Sequence, residues 1–369
     1  MMETFLDEKI AFFKNELLSW KEAHPRPLPW QDTQNPYYIW LSEIILQQTR
    51  VEQGMPYYER FIRQFPSIER LAEASEDEVM KQWEGLGYYS RARNMHATAK
   101  YIHLQLGGVF PETFEGLIAL KGIGPYTAAA IASFAYDLPH AVVDGNVFRV
   151  LARYFGQATP IDSTAGKKLF TELANQVLDS KQPGHFNQAM MDFGATWCTP
   201  KQPKCMVCAL APHCSAYKNG DVERLPVKEK SLKKRTRYFH YLIIQYDGGV
   251  LLQKREGKDI WQNLYEFPLI ETASPSFEWD ELQQTPLWHE LNLERAAAKL
   301  LDRSASFTQI LSHQKIIACF WKLHPTMAET LNLNGSIHVE TKNLTKFAFP
   351  KIIGNYLKFL ENNSQIPLF

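Results

Sequence analysis

The chain has no long apolar run, no surplus of charge and few cysteines, and each lack excludes something. Its hydrophobic stretches fall far short of the roughly 20 residues that a membrane helix needs. The opening residues, Met1-Met2-Glu3-Thr4-Phe5-Leu6-Asp7-Glu8, are acidic, without the basic stretch before an apolar run that marks a secretory signal. Five cysteines in 369 residues, four of them crowded together, do not form a secreted disulfide framework. These lacks point to a soluble protein of a reducing cytoplasm. Forty Lys and Arg balance forty Asp and Glu, so total charge does not announce a nucleic-acid binder, although a balanced total can conceal a local basic face. Apolar residues are plentiful: 45% hydrophobic and 13% aromatic excludes wholesale disorder and supplies cores for two domains or three.

The first two hundred residues read as helix after helix. Leu6, Ile10, Phe13, Leu17 and Trp20 recur at helical spacing with charges between them. Asn35-Pro36 supplies a cap and a first-turn proline for a helix over about Tyr37 to Gln53. Further helices are expected around 75–83, 91–106, 126–136, 146–155, 164–179 and 184–197, punctuated by Gly85-Leu86-Gly87, Gly107-Gly108, Gly122-Ile123-Gly124 and Asp144-Gly145-Asn146.

Between 228 and 237, six of ten residues are basic (Lys228, Lys230, Lys233, Lys234, Arg235, Arg237), which reads as a linker over 226–237 between a first domain, 1–225, and a second, 238–369. Tyr241–Tyr246, Gly249–Leu252 and Ile316–Trp321 are β-rich, and a last helix is expected near 350–361. The second domain is therefore α+β.

Cys198, Cys205, Cys208 and Cys214 form C-x6-C-x2-C-x5-C. Four thiolates in one short loop can surround zinc or an iron–sulfur centre, and spacing alone does not choose. Cys319 stands apart on an expected strand and reads as a core residue. Leu120-Lys121-Gly122-Ile123-Gly124-Pro125-Tyr126 joins two helical stretches. Its glycines permit close approach to a phosphodiester, and free amides of the next helix suit an anion, yet such a turn is often a mere connector. Asp144 stands where an apolar segment becomes a helix, a place where carboxylates commonly serve as caps. Glu43 lies mid-helix among Ile39, Ile44 and Leu46. On a solvent face it is unremarkable; facing inward, desolvation would raise its pKa and make it a general acid. Two carboxylates of opposed tuning would suit cleavage of an N-glycosidic bond, one protonating the leaving base, the other ionised beside an oxocarbenium-like sugar.

The segments L-P-W (28–30), W-L-S-E-I-I-L-Q-Q-T-R-V (40–51), W-E-G-L-G-Y-Y-S-R-A-R-N (83–94), G-P-Y-T (124–127), V-D-G-N-V-x-R-V (143–150) and F-N-Q-A-M-M-D-F-G (186–194) resemble MutY-type adenine DNA glycosylases of the endonuclease III, helix-hairpin-helix superfamily. The resemblance implies an all-α helix-hairpin-helix glycosylase domain with a [4Fe–4S] cluster on the four cysteines, followed by a Nudix-like domain. It implies that Glu43, Asp144, Tyr126 and Asn146 are catalytic, and that Arg26, Trp30 and Gln188 line the adenine pocket. Leu46, Gln48, Thr49, Arg50, Tyr88, Lys121, Gly122 and Gly124 would contact DNA, Gln48 and Tyr88 as wedges. Related glycosylase/lyases carry a Schiff-base lysine at the position of Tyr126, so a tyrosine implies base removal without strand cleavage.

Gly248–Arg255 and Trp261–Pro268 resemble the opening strands of the Nudix-like domain, and Ser312-His313 the loop that inspects 8-oxoguanine. No R-E-x-x-E-E helix follows Phe267-Pro268, which implies recognition without pyrophosphate hydrolysis. The expected partner is duplex DNA with adenine opposite 8-oxoguanine or guanine, met by a monomer in a bacterial, nucleoid-associated setting. Two positions depart from the pattern: Gln31 follows Trp30 where many members have Arg, and Leu311 replaces an aromatic residue before Ser312-His313.

Overall fold

A computed structural model describes residues 2–229, 234–333 and 335–363, with side chains from Leu6 onward. Lys230 and Lys233 of the expected linker lie outside the described residues. The chain divides into two compact units, Met1–Glu73 with Asn94–Ser231, and Ala74–Arg93 with Leu232–Phe369. No helix among the described residues is long and apolar enough to cross a membrane.

The helices of the first two hundred residues are α1 (Met2–Ala23), α2 (Pro36–Leu46), α3 (Val51–Gln64), α4 (Ile68–Glu73), α5 (Glu76–Trp83), α6 (Tyr89–Gln105), α7 (Phe114–Ile118), α8 (Pro125–Tyr136), α9 (Gly145–Phe155), α10 (Thr164–Val177) and α11 (Pro183–Thr196), with the short α12 (Ser215–Asn219) behind the cysteine loop. The core of the first unit forms where α1 meets α9, α10 and α11. Phe13, Leu17 and Trp20 pack there with Leu151, Phe170 and Phe193, each such side chain contributing about 1.5–3 kcal/mol by leaving water. Leu6, the first member of the expected stripe, is instead exposed.

The single helix expected over Tyr37 to Gln53 is two. Asn35 caps α2 by accepting from the Tyr37 N–H, with Pro36 in the first turn, as the sequence suggested. The helix stops at Leu46 because Gln48 adopts a left-handed backbone, φ +56°. A non-glycine residue rarely sits there, and no glycine or proline marks the break.

The second unit is built on an eight-stranded mixed sheet: β1 (Arg235–Tyr246), β2 (Gly249–Lys254), β3 (Tyr265–Glu266), β4 (Leu269–Thr272), β5 (Lys299–Arg303), β6 (Phe307–Ile310), β7 (Gln314–His324) and β8 (Ile337–Glu340). β1 runs parallel to β7, in register from Arg235 opposite Gln314, and its other pairings are antiparallel. Leu242, Ile244, Leu251 and Trp321 form a core with Phe277 and Trp288, and Cys319 is buried on β7. The helix α15 (Lys351–Asn362), following α13 (Trp279–Gln283) and α14 (Pro286–Glu290), closes the chain.

Two boundaries differ from the sequence reading. β1 begins inside the basic stretch taken as linker, and Arg237 is a buried strand residue held by Asp259 and Glu271 at 2.7 and 2.6 Å. Residues 74–93 belong to the sheet unit, although in sequence they lie inside the helical stretch. Asp77 accepts from Lys254 Nζ (2.5 Å) and Tyr265 Oη (3.0 Å), and Glu84 accepts from the Phe349 N–H at 2.9 Å. Tyr88 therefore belongs to the second unit.

Candidate active site

Helix α2 is apolar nearly all round, and its residues 39–45 are buried, so Glu43 is carried into the interior at 4% exposure. There it accepts a hydrogen bond from Tyr126 Oη at 2.5 Å. Tyr126 is the second residue of α8, which begins directly after the glycine hairpin. The Gln47 side chain ties the end of α2 to Thr127 at 3.1 Å. Burial pushes the Glu43 carboxyl up to about 7, the Tyr126 donor opposing and Asp144 adding to the rise. Burial and the neighbouring carboxylates push the Tyr126 phenol well up, keeping it a proton-bearing donor.

Asp144 is the N-cap of α9 and more than a cap. Its Oδ1 accepts from the Val147 N–H at 2.7 Å, and its Oδ2 accepts from Asn146 Nδ2 at 2.8 Å. Arg149 Nη2 donates to Asn146 Oδ1 at 2.9 Å and to the Gly194 carbonyl at 2.6 Å, while its Nε donates to the Cys198 carbonyl at 2.7 Å. One buried guanidinium thus holds the side chain that holds Asp144. Gly194 permits this closeness: a Cβ there would stand 2.7 Å from Asn146 Cβ. The opposed tuning expected of the two carboxylates needs correcting. Burial raises Asp144 as well, and the Val147 and Asn146 donors with the nearby Arg149 charge hold it back. The two differ in how well they are supplied with donors, not in the direction of their shifts.

The donor from Tyr126 is one of the contacts that lower the Glu43 pKa. Tyr126→Phe is therefore expected to move the descending limb of a rate–pH profile to higher pH, a shift that a titration of single-turnover rates reads directly.

The residues expected to meet DNA are placed as follows. In the first unit Gln48 and Arg50 are exposed, and Leu46 and Thr49 are partly buried. In the hairpin Leu120 and Ile123 are buried as anchors, whereas Lys121, Gly122 and Gly124 face solvent. Gly122 has φ +78°, and a Cβ on it would meet Asn94 at 2.8 Å, so only glycine suits the turn. No side chain caps α8, which leaves its first amides available to an anion. In the second unit Leu311, Ser312 and His313 form the turn between β6 and β7. Ser312 Oγ is hydrogen-bonded to Tyr88 Oη, and Tyr88 itself has a left-handed backbone, φ +49°.

Of the expected base-pocket residues, Trp30 and Gln188 line a cavity of about 250 Å3 together with Gln31, Phe134, Asp137 and His185. Its lining includes neither Glu43 nor Asp144, but Phe134 packs in the same apolar cluster as Tyr126. Arg26 is not in the lining; its Nη1 is bonded to Asp192 at 2.8 Å. Asp192 and Arg149 were not singled out from sequence. The available signal was a charged residue inside a run of otherwise apolar helix, in M-M-D-F-G and N-V-F-R-V.

The four loop cysteines are unbridged and line one cavity with Arg153 and Trp197. Arg153 Nη1 lies 3.5 Å from Cys198 Sγ and donates to the Thr199 carbonyl at 2.8 Å, so α9 braces the loop as well as Asp144. Among the described residues no three of His, Cys, Asp and Glu are drawn together as one metal ion would require.

Residues 41–176 match the HhH-GPD superfamily of base excision DNA repair proteins, and residues 240–359 match the NUDIX domain. The chain is 37% identical to the adenine DNA glycosylase of Buchnera aphidicola subsp. Baizongia pistaciae over 278 residues, covering 74% of this chain and 78% of that protein. It is 42% identical to the adenine DNA glycosylase of Mus musculus over 229 residues, 59% of this chain and 44% of the mouse protein. The solved structure of a thermostable thymine-DNA glycosylase superposes with a TM-score of 0.54 at 29% identity, covering 58% of this chain and 99% of that one. With Glu43, Tyr126, Asp144 and Asn146 set on an HhH-GPD fold and relatives of this closeness, the chain belongs to the adenine DNA glycosylase family of base excision repair enzymes.

Proposed function

We propose that the protein hydrolyses the N-glycosidic bond of adenine opposite 8-oxoguanine, or guanine, in duplex DNA and leaves an abasic site without cutting the strand. The observation that carries this reading is the buried Glu43, held near 7 and bonded to Tyr126, in electrostatic contact with the donor-supplied Asp144. A carboxyl of that pKa is part protonated at neutral pH and can give its proton to N7 of the leaving base. Asp144 stabilises the positive charge that grows on the sugar as the bond breaks, its two oxygens already oriented by Val147 and Asn146. Glu43, once ionised, then helps to position or activate water. Tyr126 holds Glu43 and has no amine with which to form an imine.

Extrusion of the base is assigned to the exposed Gln48 and Tyr88, with Leu46, Thr49 and Arg50 beside Gln48. Both wedges sit on left-handed backbone, a conformation often retained where strain serves a site. Lys121, Gly122, Gly124 and the uncapped amides of α8 would hold a phosphate. Trp30 and Gln188 would receive the base, and Arg26 would act from behind through Asp192. Ser312 and His313, in the turn that bonds to Tyr88, are assigned to the opposite purine.

Cys198, Cys205, Cys208 and Cys214, which line one cavity, would hold a [4Fe–4S] cluster through their thiolates. Bound there, the cluster would cross-link the loop that Arg149 and Arg153 brace from α9.

The likeness to a thymine-DNA glycosylase favours a second reading, in which the same site removes thymine. Duplexes carrying a labelled adenine strand opposite 8-oxoguanine, guanine or thymine, and thymine opposite guanine, separate the two. Strand breaks at adenine opposite 8-oxoguanine that appear only after alkali are expected. Breaks without alkali would contradict the monofunctional mechanism, and release of thymine alone would select the second reading.

A further inference from the structure

The position after Trp30, where this chain carries Gln31, begins a relay that ends in the base pocket. Asp192, on α11 and 2% exposed, accepts from Arg26 Nη1 at 2.8 Å through Oδ1. Its Oδ2 accepts from Lys21 Nζ at 2.6 Å and from Gln31 Nε2 at 3.2 Å. A carboxylate between two cations only accepts, so Gln31 must turn its amide nitrogen, not its oxygen, toward Asp192. The same nitrogen gives its second proton to Gln188 Oε1 at 2.8 Å. Gln188 stands one helical turn before Asp192 and lines the 250 Å3 cavity. With Oε1 turned to Gln31, the free end of the Gln188 amide is Nε2, whose two N–H donors have no partner among the described residues.

We propose that Asp192 is a positioning residue for base selection. Through Gln31 it fixes Gln188 as a donor, so that the pocket grips an extruded purine at an unprotonated ring nitrogen and not at an exocyclic amino group. The proposal rests on the adenine reading above and deepens it. Adenine offers three ring acceptors, and with N7 assigned to Glu43, Gln188 takes N1 or N3. A free glutamine could rotate its amide to accept from the amino group instead; the relay removes that freedom.

Single-turnover base release tests this with duplexes that carry adenine, 1-deazaadenine or 3-deazaadenine opposite 8-oxoguanine. In each analogue one acceptor is replaced by C–H. The informative quantity is the ratio of the adenine rate to the analogue rate, compared between proteins, because the analogue's own lability cancels. Gln188→Leu is expected to lower that ratio by about three- to ten-fold for one of the two analogues, the worth of one neutral hydrogen bond. Gln31→Leu and Asp192→Asn are expected to lower the same ratio part of the way. A purely structural role would slow all three substrates alike and leave the ratios unchanged, which would overturn the proposal; so would unchanged ratios in Gln188→Leu. Gln31→Leu leaves the Lys21 and Arg26 ion pairs intact and carries the test if Asp192→Asn does not fold. Failure of the unmodified protein to release adenine at all would instead overturn the activity reading, and this proposal with it.

Discussion

Replacing Glu43 by glutamine is expected to abolish most base release while making the folded protein more stable above neutral pH. The loss of rate follows from losing the group proposed to protonate the leaving base, an effect of about 100- to 10,000-fold for general acids. The gain in stability follows from the pKa. A carboxyl whose ordinary value of 4.5 is raised to about 7 binds more protons in the folded than in the unfolded chain between those limits. The fold therefore loses stability as pH rises through that window and carries the full cost above it, about 3 kcal/mol. Glutamine, neutral at every pH and still able to accept from Tyr126, escapes the cost. Thermal or urea unfolding at pH 8 should show Glu43→Gln the more stable of the two, and at pH 4 the pair should coincide. A destabilised variant at pH 8 would mean that Glu43 is held mainly by contacts that favour its charge.

Asp144→Asn separates the two roles of the capping carboxylate. Asparagine caps a helix as well as aspartate does, so α9 should keep its start and the protein its melting midpoint, with a change within about 1 kcal/mol. Its neutral amide supplies no charge opposite the developing sugar cation, and base release should fall by about 100-fold or more. Duplex affinity should survive, since Asp144 is assigned to charge development and not to holding the strand. A variant that unfolds would show that the carboxylate's charge, with Arg149 behind it, matters more to the fold than to the chemistry.

Although α4, α7 and most of α3 were not expected, most of the helices, the cysteine loop, the hairpin and the cap of α2 were legible in sequence, because each rests on local spacing. Three features were not, and each depends on partners far along the chain. Arg26 reads as a pocket residue until its partner, 166 residues away, is known. The stretch 74–93 reads as part of the helical domain, but its bonds reach 177 residues ahead to β2 and 265 ahead to Phe349, before α15, both in the sheet unit. The break between α2 and α3 has no sequence signal, since Leu46-Gln47-Gln48-Thr49-Arg50 is good helix-forming sequence forced out of helix at Gln48. The two candidate carboxylates were legible as residues, and their electrostatics only in part. Burial of Glu43 follows once α2 is seen to be apolar all round, but the rise at Asp144 shows only in the balance of its burial against its donors.

In the proposed reaction adenine leaves by proton transfer from a buried Glu43 beside Asp144. Single-turnover release of adenine opposite 8-oxoguanine, followed from pH 5.5 to 8.5 in the unmodified protein and in Glu43→Gln, tests it most directly. The expected result is a rate that declines as pH rises through about 7 in the unmodified protein, and a low, flat profile in the variant. The same decline persisting in Glu43→Gln would assign the proton to another group and contradict the account.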